Sequence, residues 1–153
     1  MKHKLFSGAC TALVTPFSDG KINYSMLEKL LARQIDAGIR TIVLAGTTGE
    51  SPTLTDSEKM ELFARAKAFT GEDAMIIAGT GSNSTLHAVT LSVAAEQAGA
   101  DALLIVSPYY NKATADGLIA HYSAIAEAVS IPMILYNVPG RTGLDIPVSV
   151  YHT

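Results

Sequence analysis

Two threonines, three tyrosines and an arginine lie in loops that follow short apolar runs, and their types suit a small carboxylate and a mobile proton. In Gly46-Thr47-Thr48-Gly49-Glu50 the glycines admit a ligand close to backbone N–H groups, and two hydroxyls can bond a carboxylate or pass on a proton. The plainer reading is a strand-to-helix turn in which Thr47 or Thr48 only caps. Tyr136 closes the run Met133-Ile134-Leu135. A phenol has an ordinary pKa of about 10, so it works as acid or base near neutrality only where neighbours help it. Taken alone, such a tyrosine is more often an amphipathic residue at a core boundary. Arg141, behind Val138-Pro139-Gly140, suits bidentate carboxylate binding, with a surface salt bridge as its bland alternative. Tyr109-Tyr110, after Ser107-Pro108, is a loop pair of the kind that anchors interfaces, and one ring could also enter a site.

Other chemistries lack their residues. The four histidines are scattered without metal-ligand spacing, and neither a G-x-S-x-G elbow nor a phosphate loop occurs, so no metal or cofactor is expected. Net charge is −3 and the only Lys/Arg cluster is Lys2-His3-Lys4, which argues against nucleic acid. Cys10 is the sole cysteine, which suits a cytoplasmic protein without disulfides. Lys2 and Lys4 before Leu5–Cys10 imitate a secretory leader, but the apolar stretch is too short for one. No run is long enough to span a membrane.

The elements that must position these loops repeat. Apolar runs at Ala9–Val14, Thr41–Ala45, Ala74–Ala78, Ala102–Val106 and Pro132–Tyr136 are continuous rather than alternating, as parallel strands covered on both faces are. Helical stripes lie between them: Leu27, Leu30, Leu31 and Ile35; Met60, Phe63, Ala64 and Lys67, the lysine keeping its charge in water; Leu91, Ala94, Ala95 and Ala98; Ile119, Tyr122, Ile125 and Ala126. Thr55-x-x-Glu58 and Ser25-x-x-Glu28 read as capping boxes, and Gly38 and Gly99 as helix C-termini. Strand ends recur about every 31 residues, and eight such units make the roughly 250 residues of a (β/α)8 TIM barrel. Residues 1–153 then form one domain, the first five βα units of a truncated barrel. A five-stranded doubly wound sheet fits the length, but it calls for a Gly-rich loop after the first strand, where Thr15-Pro16-Phe17-Ser18-Asp19-Gly20 stands instead.

In this order and spacing the loops resemble the dihydrodipicolinate synthase / N-acetylneuraminate lyase family of class I aldolases. The likeness runs from about Phe6 to Ile146 and covers the N-terminal half of the family's barrel. Gly46-Thr47-Thr48-Gly49-Glu50 and Tyr136-Asn137-Val138-Pro139-x-Arg141-Thr142-Gly143 look like the 4-hydroxy-tetrahydrodipicolinate synthase branch rather than the lyase branch. The resemblance implies condensation of pyruvate with aspartate semialdehyde in lysine and diaminopimelate synthesis. It implies that Thr48 binds the pyruvate carboxylate and Arg141 that of the aldehyde, while Tyr136 moves protons through a relay with Thr47 and Tyr110. Tyr110 would come from the neighbouring subunit of a tight dimer, two dimers making a homotetramer. In lysine-inhibited members an effector site lies near Ser51, Asp56, Lys59, Asn83, His87 and Tyr109; the imidazole of His87 and the charge of Lys59 disfavour a cation there.

The family's imine-forming lysine stands on a sixth strand, and no lysine here ends one of the five apolar runs. The 153 residues alone are therefore expected to be catalytically silent. Rival readings are another pyruvate-dependent aldolase, acting on a sugar-acid aldehyde, and a non-catalytic half-barrel that only associates with its own copies through open strand edges.

Overall fold

A computed structural model describes residues 5–152, so the Lys2–Lys4 segment lies outside it. A short β1 (Thr11–Ala12) leads into an antiparallel hairpin, β2 (Phe17–Ser18) and β3 (Lys21–Ile22), that the sequence pattern does not anticipate. Its turn is Asp19-Gly20, both at positive φ, the chemistry that two-residue hairpins favour. Then α1 (Tyr24–Asp36), β4 (Thr41–Leu44), α2 (Asp56–Thr70), β5 (Met75–Gly79), α3 (Thr85–Gln97), β6 (Ala102–Val106), α4 (Ala115–Ala128) and β7 (Met133–Tyr136) alternate. A one-turn α5 (Pro139–Thr142) and a 3₁₀ segment at Val148–His152 follow.

The main sheet runs β1-β4-β5-β6-β7, every neighbouring pair parallel and in chain order. Alternate residues of each strand go to opposite faces. Ile42, Leu44, Ile76, Ala78, Leu103 and Ile105 share one core with Leu27, Leu31, Phe63, Ala95 and Ile125 of the helices. Val43, Ile77, Ala102, Leu104 and Ile134 form a separate cluster on the other face. The helices thus cover one face only. A doubly wound sheet reverses its strand order and carries helices on both faces. Sequential order with helices on one face is instead the arrangement of a TIM barrel, and the described residues supply its first five βα units.

Local signals met mixed outcomes. Thr55 and Glu58 form the capping box at the start of α2, each satisfying the other's backbone N–H. The box at Ser25 does not form: α1 starts one residue earlier, and Asn23 caps it by accepting from the Met26 N–H. Gly38 and Gly99 take φ of +84° and +93° behind α1 and α3. The buried face of α2 is Lys59, Leu62, Phe63, Ala66 and Thr70, so Ala64 is exposed, contrary to the stripe read from sequence. Ala126 of α4 is likewise exposed, its place taken by Leu118 and His121. Lys67 stays partly exposed, as the stripe implied, but its ammonium is paired: Nζ bonds both carboxylate oxygens of Asp101 at 2.9 and 3.1 Å. Asp101 also accepts from the Ile76 N–H at 2.7 Å, which ties α2 to two strands.

Candidate active site

The C-terminal ends of the strands surround a cavity of about 360 Å³. After β4 the chain turns sharply: Ala45 has φ +50°, and the Gly46 carbonyl accepts from the N–H groups of Gly49 and Ser51 at 3.1 and 3.3 Å. Thr15 pins this turn from the loop after β1, its buried hydroxyl donating to the Gly49 carbonyl at 2.7 Å. There is no room for a larger residue at Gly81, where an added Cβ would lie 2.4 Å from the Val106 nitrogen. Gly81 therefore lets β6 come close, while Gly79, at the end of β5, packs against the Ala45–Gly46 backbone.

Tyr136 ends β7 in register with Val106, half-buried, and lines the cavity. Beyond it, Pro139 starts α5 and Arg141 follows on that turn, also on the wall. The Asn137 side chain braces the loop by donating to Asp145 at 2.6 Å and accepting from the Ile146 N–H at 3.2 Å. The Tyr110 N–H donates to the Thr142 carbonyl at 3.3 Å, which sets the tyrosine loop beside the arginine.

The residues singled out by sequence divide accordingly. Thr47, Tyr136 and Arg141 share the cavity, with Tyr109. Thr48 is exposed on the same turn and does not line it. Tyr110, at φ +74° and 90% exposed, borders a separate shallow depression with Lys112 and Arg141. Ser82, also on the wall, was not read from sequence; the resemblance groups Lys59 and His87 with Ser51 and Tyr109 as an effector neighbourhood, and all four line this same cavity. His87 Nδ1 lies 3.1 Å from the Ser82 hydroxyl and its Nε2 lies 3.0 Å from Asp56. Lys59 is buried to 7% exposure, and desolvation holds its ammonium below the usual lysine range, with Asp56 opposing. The signal for Lys59 was present, since it stands three residues before Leu62 on the apolar stripe. In the correct register that marks a lysine turned inward.

No helix of the described residues is long and apolar enough to cross a membrane. The sequence profile of the dihydrodipicolinate synthetase family matches residues 5–153. The 4-hydroxy-tetrahydrodipicolinate synthase of Fervidobacterium nodosum is 52% identical over 142 residues, 93% of this chain and 49% of that protein. That of Bdellovibrio bacteriovorus is 53% identical over 139 residues, 91% of this chain and 47% of its own length. The crystal structure of the Aquifex aeolicus dihydrodipicolinate synthase superposes with a TM-score of 0.93 at 43% identity, over 95% of this chain and 50% of that one. The Acinetobacter baumannii enzyme, solved as a chloride-inhibited complex with pyruvate, gives 0.91 at 49% identity, over 94% and 50%. The chain spans about half the length of the relatives it matches.

Proposed function

Because the chain belongs to the dihydrodipicolinate synthetase family, we propose that its strand ends form the substrate-binding and proton-handling part of a 4-hydroxy-tetrahydrodipicolinate synthase. The reaction is a Schiff-base condensation of pyruvate with aspartate semialdehyde, in the cytoplasm, on the way to diaminopimelate and lysine. One observation carries this reading: Thr47, Tyr136 and Arg141 line a single small cavity whose wall holds cations and, among the described residues, no carboxylate. Such a wall favours substrates that are anions.

In this reading the Thr47-Thr48 turn receives the pyruvate carboxylate by hydroxyl and N–H donation, with Thr48 turning inward to meet it. Arg141, at the mouth, takes the aldehyde's carboxylate through two parallel hydrogen bonds. Tyr136, on a strand end and so fixed in place, exchanges protons with the intermediate, and Thr47 passes them toward Tyr110. Tyr110 faces away from its own cavity, which suits a donor to a neighbouring copy. Leu86, 78% exposed, and Tyr109 add apolar surface for a tight dimer, and two dimers for a homotetramer.

We assign the imine-forming amine to a strand beyond these five within one barrel domain, so the 153 residues bind substrate but turn over none. Two measurements test this. Joined to the last three βα units of a relative, the chain should condense pyruvate with aspartate semialdehyde. Alone, treated with pyruvate and borohydride, it should show no reduced adduct by intact mass; a stoichiometric adduct on Lys59, the described lysine on the wall, would overturn the assignment.

A further inference from the structure

Thr15 is buried in the loop after β1 and does not line the cavity, yet its hydroxyl donates to the Gly49 carbonyl at 2.7 Å, across 34 positions of chain. The peptide that carries this carbonyl is bonded on its other side as well, where the Glu50 N–H donates to the Thr47 carbonyl at 3.1 Å. In a trans peptide C=O and N–H point opposite ways, so with the Thr47 carbonyl turned toward Glu50 the Thr48 N–H points out of the turn. That N–H has no acceptor among the described residues. A buried hydroxyl thus stands at one end of a series of two peptide dipoles, and a free donor at the other.

The fold prepares both partners of this contact. The Leu13 N–H donates to the Val43 carbonyl at 3.0 Å and the Pro16 carbonyl accepts from the Asn23 N–H at 2.8 Å, so the backbone is fixed on each side of Thr15. A Cβ at Gly49 would lie 3.1 Å from the Ala45 nitrogen and 3.2 Å from the Thr15 hydroxyl oxygen, so glycine lets the turn approach without crowding. The turn itself is strained: Ala45 and Glu50, on its two flanks, are left-handed at φ +50° and +55°. Such strain persists only where surrounding contacts over-determine it. Hydrogen bonds in series also polarise one another, which strengthens the donor at the far end. We infer that Thr15 is a positioning residue for the carboxylate of a small 2-oxo acid: through the Gly49–Glu50 peptide it holds the Thr47–Thr48 peptide with its N–H presented to the ligand. This rests on the proposed reading of that turn as the pyruvate-binding element and deepens it, because it gives a role in binding to a residue that touches no substrate.

Pyruvate is titrated into the isotope-labelled protein and into Thr15→Val and Thr15→Ser, with the Thr48 amide followed by NMR. In the unsubstituted protein that amide should shift as pyruvate saturates. Valine keeps the size of threonine and loses the donor, so Thr15→Val should weaken pyruvate about five- to tenfold and shrink the Thr48 shift at saturation. Thr15→Ser keeps the hydroxyl and should bind within about twofold of the unsubstituted protein. A purely structural role would lower the melting temperature of Thr15→Val and leave the affinity of its folded form unchanged. That result, a Thr15→Ser as weak as Thr15→Val, or a Thr48 amide that ignores bound pyruvate would overturn the inference. Should Thr15→Val not fold, Thr15→Ala, which leaves room for a water, is judged by the same criteria. The two readings fail differently: equal pyruvate binding in Thr15→Val removes the role of Thr15 alone, whereas absence of pyruvate binding to the unsubstituted protein removes the proposed binding turn and this inference with it.

Discussion

Gly79 closes β5 against the turn that follows β4, and adding one methyl group there should disturb both folding and substrate binding. A Cβ at this position would lie 2.2 Å from the carbonyl oxygen of Ala45 and 2.7 Å from its carbonyl carbon. Non-bonded carbon contacts relax near 3.5–4.0 Å, so the Ala45–Gly46 peptide must move on the order of 1 Å. It has little freedom to do so. Ala45 already sits in the left-handed region at φ +50°, fully buried, and the Gly46 carbonyl is held by two N–H groups. Overpacking a close-packed site costs about 1–3 kcal/mol, and because backbone rather than a flexible side chain must yield, the upper end applies. A loss of about 3 kcal/mol lowers the melting temperature of a domain this size by roughly 6–12 °C. The displaced peptide leads into Thr47, so pyruvate affinity should fall as well. Ala45→Gly removes about 1 kcal/mol of left-handed strain but loosens the unfolded chain by about 0.4–1 kcal/mol, leaving it near neutral alone. Combined with Gly79→Ala, it should restore about 1 kcal/mol, because the freer peptide can swing away. Thermal unfolding by circular dichroism and a pyruvate titration by NMR, on both single variants and the double, read these effects. An unchanged melting temperature in Gly79→Ala, or strict additivity in the double, would refute the reasoning.

Arg141→Ala, in a protein completed with the remaining strands, should raise KM for aspartate semialdehyde by roughly 10- to 150-fold, the equivalent of about 1.5–3 kcal/mol, and leave pyruvate nearly untouched; steady-state kinetics showing equal loss for both substrates contradicts its placement at the mouth. His121 is buried, its Nδ1 at 2.9 Å from the Thr85 hydroxyl and its Nε2 without a partner among the described residues, and burial holds its pKa below the usual range. The unfolded chain therefore takes up this proton first, so stability should decline as pH falls below about 6.5. His121→Phe should flatten that decline in denaturant titrations, and an identical slope counts against it. Replacing the capping hydroxyl in Thr55→Ala should cost about 1 kcal/mol, seen as a lower denaturation midpoint with the slope unchanged. Free lysine at sub-millimolar concentration should not inhibit the completed enzyme; half-inhibition in that range would show that the cations of the cavity do not set its preference.

Much of the architecture was legible in one dimension because short-range physics writes it there. Continuous apolar runs, the Thr55–Glu58 box and the glycines behind α1 and α3 each report a local requirement. Their even spacing implied repeated βα units, and the loops that follow them drew attention to Thr47, Tyr136 and Arg141, which share one cavity. The shifted register of α2 was less legible, because Ala64 and Ala66 are equally apolar as letters and only packing separates them. The β2–β3 hairpin was missed because two-residue strands carry no periodicity. Whether helices cover one face of the sheet or both is a matter of strand order and handedness, which no local pattern encodes, and it separated the barrel from the doubly wound alternative. The same holds for the cavity's inner wall. Lys59, Ser82 and His87 come from a helix, a loop and a second helix, and their meeting depends on how α2 and α3 lie across neighbouring strands. Residue types and local spacing thus determined the elements and the outer half of the site; tertiary packing alone decided which face is covered and which buried charge turns toward the cavity, because both depend on contacts between residues far apart in sequence.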